Sequence, residues 1–170
     1  VNYSGYIFEK HGNAWVSKIT VEHANKQWIR EYTIDFHFNP YQVENITTVR
    51  NNNGDAVSKL IFRRAIQTYV TMEPLYPASV VLGGVEVAKI IGQVYEKKVK
   101  AAVNSPTNLT DAPIITCQNV TNDIAVIELK LSNRTGIFEH QGCVTIEGTN
   151  AVEMLRASER LTFEMLDILN

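Results

Sequence analysis

Cysteine is nearly absent from this chain: 170 residues contain two, Cys117 and Cys143, and no C-x-x-C motif. A thioredoxin-like redox pair or a cysteine-rich zinc module therefore has no sequence support. The four histidines, His11, His23, His37 and His140, are scattered without an H-x-x-x-H pair, so no metal site is expected. Long apolar runs are missing too. The longest, at 79–94, is interrupted by Gly83, Gly84, Glu86, Lys89 and Gly92, short of the about 18 unbroken residues that cross a bilayer as a helix. No membrane span is expected. Excess charge of either sign is also lacking, since a net charge of −2 offers no field for nucleic acid, which is excluded as a partner. The first residue is Val1 without a preceding Met, and a targeting segment upstream is expected to have been removed.

What remains is ordinary globular material, 45% hydrophobic and 20% charged. A chain of this length buries roughly two thirds of its unfolded surface, enough for one domain over 1–170, with residues 1–50 as a potential β-rich subdomain. Residues 1–48 alternate aromatic and β-branched runs with turn signals at 11–13 and 23–26, which predicts an antiparallel meander. Its last run places Ile34, Phe36 and Phe38 on the core face and Asp35 with His37 on the other, ending at Asn39 and Pro40. A short helix capped by Asp55 and a strand closed by Pro74 follow.

The segment 79–97 admits two readings. It forms one helix capped by Ser79 with Val80, Val87, Ile91 and Val94 on one side, or a strand, a turn at Gly83 and Gly84, and then a helix whose N-terminus could hold an anion. The Gly-Gly pair lacks the third glycine of a dinucleotide fingerprint and the lysine of a phosphate loop. Another strand is predicted near 97–103. Residues 113–148 then predict four short strands, near 114–117, 124–131, 136–140 and 143–147. The chain closes on a helix over about 150–168. Asn150 and Glu153 suggest a capping box, and Met154, Ala157, Leu161, Met165 and Ile168 form its apolar stripe. The element order implies an α+β or mixed α/β fold, in which a mixed sheet carries two to three packed helices.

Cys117 and Cys143 lie at strand ends 26 positions apart, where a disulfide can form; the alternative is two buried thiols in a reducing compartment. Five Asn-x-Ser/Thr triplets occur, at Asn2, Asn45, Asn108, Asn119 and Asn133. The frequencies of Asn and of Ser plus Thr predict about two by chance, and all five fall in or beside predicted loops. No local signature supports catalysis by Asp35 and His37 or by Glu139 and His140.

The pieces YVTMEP, VVLGGVEVAKIIG, PIITCQN, GCVTIEG and NAVEMLRASERLTFEML, spanning 66–168, together resemble a group of archaeal secreted or cell-surface domains of uncharacterised function. The resemblance implies an extracellular location and brings no catalytic residues. The expected role is non-enzymatic: an N-glycosylated structural subunit of a cell-surface layer or extracellular filament, without cofactor, that self-associates through its N-terminal strand. The alternative is a secreted ligand-binding domain or enzyme with a pocket at Gly83 and Gly84.

Overall fold

The computed structural model describes residues 1–23 and 28–170; of the turn expected at 23–26, residues 24–26 lie outside the described residues. The first sheet is antiparallel, in the order β1 (Asn2–Tyr3), β2 (Tyr6–His11), β3 (Ala14–His23), β4 (Trp28–Phe36). Period-two alternation sends Phe8, Ile19, Val21, Ile34 and Phe36 into the core. The β2–β3 turn uses Gly12 at φ 61°, a left-handed conformation that favours glycine. Asn39 then caps the single-turn α1 (Pro40–Val43) in a reciprocal capping box with Gln42.

The second sheet runs β6 (Lys98–Val103), β5 (Gln67–Met72), β7 (Ile124–Leu131), β9 (Cys143–Gly148), β8 (Gly136–His140). Its first four strands are parallel, and β8 pairs antiparallel with β9. The fold is α+β.

Helices α3 (Ala78–Lys89) and α4 (Ala151–Met165) pack on each other and on the second sheet, and α2 (Val57–Arg64) packs against α4. The apolar stripe of α4 is buried as its spacing predicts, and so is most of its opposite side, including Glu159, Arg160 and Glu164. The cause is layering. Phe163 meets Phe36 at 4.6 Å and Phe8 at 5.8 Å between ring centroids, so the first sheet covers one side of α4 while β9 packs on another. Aromatic contacts of this kind contribute about 0.5–1.5 kcal/mol each beyond burial. The molecule is thus a sheet, a helical layer and a second sheet around one apolar core.

Several expected local features change. The segment 79–97 is helical through Gly83 and Gly84, but Pro77, not Ser79, occupies the N-cap. The helix ends in a π-turn over Ile90–Val94, where Tyr95 N–H donates to Ile90 O at 3.1 Å. Helix α2 starts two residues past Asp55, because Asp55 instead closes the Asn-rich turn with Asn51. No strand forms at 114–117: Ile114 makes a single bridge to Val103, and Thr116 caps a 3-10 turn over Cys117–Asn119. At α4, Glu153 N–H donates to Asn150 Oδ1 at 3.0 Å, but the Glu153 carboxylate pairs with Arg156, so only half of the capping box forms.

Candidate functional site

The segment between β6 and β7 is a strap. Leaving β6, it bridges Val103 through Ile114, passes over β5 where Thr71 Oγ1 donates to Ile115 O at 2.7 Å, and reaches the start of β9. Val70 and Ile127 face the helices, so Thr71 and Cys143 lie on the opposite, outer face of the sheet. There Cys117 and Cys143 form a disulfide with Cα atoms 5.3 Å apart. It pins the strap across strands it does not otherwise pair with for more than a residue.

All five sequon asparagines, Asn2, Asn45, Asn108, Asn119 and Asn133, are solvent-exposed. Asn2 stands on β1, Asn45 follows α1, Asn108 lies in the strap, Asn119 ends the 3-10 turn beside the disulfide, and Asn133 occupies the β7–β8 loop. Exposure makes each reachable by a glycosyl transferase.

Gly83 and Gly84 do not make an anion-binding turn. Both are buried in the interior of α3, where backbone N–H groups are used by the helix. A Cβ on Gly84 would stand 3.0 Å from both Leu129 and Val70, and one on Gly83 would overlap the Ser158 hydroxyl. The glycines bring α3 close to α4 and the sheet, and the space that a ligand would need is filled by side chains.

His37 does not share a face with Asp35. β4 ends at Phe36, and the His37 ring turns back to α4, with Nδ1 2.8 Å from Glu159 Oε1. The same carboxylate accepts His37 N–H at 2.6 Å and Phe38 N–H at 2.8 Å. The hydrogen bond to Glu159 holds the His37 pKa above its ordinary value. Glu86 lies close enough that His37, Glu86 and Glu159 offer ligand atoms within 4.8 Å of one another. The cation for that pocket of charge is already present: Lys89 Nζ sits 2.5 Å from Glu86 Oε2 and donates to Asp35 O at 2.9 Å. This constellation joins the end of the first sheet to α3 and α4. Its members are spread over 122 positions of sequence and share no motif.

A second group of cations surrounds a cavity of about 30 Å³ between α2 and the π-turn, floored by Phe62, Ile91, Tyr95 and Met165. Its volume suits about one water molecule. Lys97 Nζ donates to the carbonyls of Phe62 (2.5 Å), Arg63 (2.7 Å) and Ala65 (3.1 Å), satisfying the orphan acceptors at the C-terminus of α2. Lys59 and Arg63 pair with Asp167. Burial pushes the Lys59 and Lys97 pKa values down and that of Tyr95 up to about 12.

No protein-family model matches the chain, and comparison with curated proteins and with solved structures yields no match. The geometry itself defines the class: an α+β sandwich whose second sheet carries a disulfide-fastened strap. Among the described residues, no helix is long and apolar enough to cross a membrane.

Proposed function

We propose that this chain is an exported, non-enzymatic structural domain, an N-glycosylated subunit of a cell-surface layer or extracellular filament. The Cys117–Cys143 disulfide carries the reading, because such bonds form and persist in oxidising compartments. Five exposed sequons suit the same location. The resemblance of residues 66–168 to archaeal secreted and cell-surface domains points the same way. Self-association fits an assembly role, and β1 is the edge strand of the first sheet, where a neighbouring copy would add a strand by displacing the Tyr41 hydroxyl from Asn2 O.

Electron microscopy of envelopes and secreted material from the native source, with an antibody to this domain, tests the assignment. Label tracking an ordered lattice or filament is the expected result. Label confined to dispersed protein or to the cytosol would sink it.

A further inference from the structure

The turn ahead of α2 reads NNNGD over 51–55 and holds the one Asn–Gly pair of the sequence. It is no sequon, because Asp55 stands where Ser or Thr is needed. Asn51 builds the turn. Its Oδ1 accepts Asn53 N–H and Asp55 N–H, both at 2.9 Å, and its carbonyl accepts Gly54 N–H at 3.0 Å. Arg50 Nη1 donates to Gly54 O at 2.9 Å, and Arg50 bridges Ala56 at the entry to α2.

The Asn53 side chain takes no part in this network. Residues 52–55 are exposed, and the Asn53 carboxamide forms no hydrogen bond among the described residues. Gly54 has φ 84°, and a Cβ built on it would meet nothing within 4 Å, so no side chain crowds the peptide bond between Asn53 and Gly54. Each of the other asparagines is followed by a residue with a side chain or ends the sequence.

We infer that Asn53 is a site of spontaneous covalent modification, in which the backbone nitrogen of Gly54 attacks the Asn53 carboxamide. The Gly54 N–H gives its proton to solvent base as the N–Cγ bond forms. The Cγ–Nδ2 bond then breaks, and the departing nitrogen takes up a proton and leaves as ammonia. Water opens the resulting cyclic imide at either carbonyl, which yields an aspartyl or an isoaspartyl residue at position 53. Water is consumed and ammonia released, with no oxidant or cofactor required. Asn51 sets the rate as a positioning residue: while Gly54 N–H donates to Asn51 O the nitrogen is held away, and reaction passes through the opened turn. An exposed turn tied only by its own groups opens at low cost. Either product adds a negative charge beside Asp55, and the isoaspartyl form also lengthens the main chain of the turn that leads into α2. The inference stands whether or not the domain is exported, glycosylated or assembled.

Peptide mapping by mass spectrometry of the recombinant 170-residue chain, incubated folded and disulfide-bonded in mildly alkaline buffer, tests it. Conversion should appear at Asn53 before any other asparagine, as paired aspartyl and isoaspartyl peptides. Asn51→Ala should speed conversion at Asn53 several-fold and leave the rate at Asn104 unchanged, whereas general destabilisation would raise both. Circular dichroism checks that this variant folds. Gly54→Ala should slow conversion in urea, where the strain of alanine at a positive φ plays no part. An Asn53 that survives while other asparagines convert, an unchanged rate in Asn51→Ala, or equal rates for glycine and alanine in urea overturns the inference.

Discussion

Gly83 and Ser158 meet without room for a methyl group: a Cβ on Gly83 would lie 3.1 Å from the Ser158 Cβ and overlap its hydroxyl. Helix propensity alone would make Gly83→Ala stabilising by about 1 kcal/mol. Overpacking costs about 1–3 kcal/mol and should prevail. Gly83→Ala is therefore expected to lower the urea midpoint. Ser158→Ala in the same chain should restore most of the loss, since the Ser158 hydroxyl is buried without a partner. A stabilised single variant would show that α3 and α4 can part at little cost.

Opening the disulfide should release the strap. Removing a cross-link across 26 positions costs about 3–4 kcal/mol by the loop-entropy relation. Cys117→Ala/Cys143→Ala should lose that much in denaturant titration, and limited proteolysis should then cut first within 104–123. Cleavage that begins elsewhere, with stability unchanged, would mean the strap holds without its pin.

His37 should make stability depend on pH in one direction. The hydrogen bond to Glu159 raises its folded pKa, so its contribution is complete below about 6.5, the unfolded value, and is lost as pH rises through the folded one. Glu86 and Lys89 face the same ring and act in opposite senses. Thermal unfolding from about pH 6 to about pH 9 should show a decline for the wild type that is flatter for His37→Asn. Identical slopes would remove His37 from the account.

Arg160 and Glu164 form a buried pair at 3.3 Å, with Ser58 Oγ donating to Glu164 at 3.0 Å. Burial pushes the Glu164 pKa up. Arg160→Met leaves that carboxylate uncompensated and should cost about 3–5 kcal/mol at neutral pH. The penalty should shrink on acidification, as Glu164 takes up a proton. Adding Glu164→Gln should recover most of it at neutral pH; equal losses for the single and double variants would contradict the pairing.

The strands and the closing helix were legible because each has a single-period pattern: Ile34 and Phe36 alternate with exposed neighbours, and Met154, Ala157 and Leu161 repeat at helical spacing. The burial of Glu159, Arg160 and Glu164 was not, because a periodic polar stripe normally faces water and only the tertiary layering covers it with a second sheet. The same limit applies to the Gly-Gly pair. Turn and close helix contact ask for the same residue, and the deciding partners, Ser158, Leu129 and Val70, lie far along the chain or on another element. Cys117 was expected at a strand end because PIIT is β-rich, yet the strap runs over the sheet and Thr116 turns it instead. The His37 cluster left no trace, since its groups come together only when β4 ends one residue before the histidine.

The central claim is an exported, stapled, sugar-bearing domain, and mass spectrometry of the protein purified from its native source tests it most directly. The account predicts a Cys117–Cys143 peptide under non-reducing digestion, with glycan on at least one of Asn2, Asn45, Asn108, Asn119 and Asn133. Two free thiols and five unmodified asparagines would contradict it.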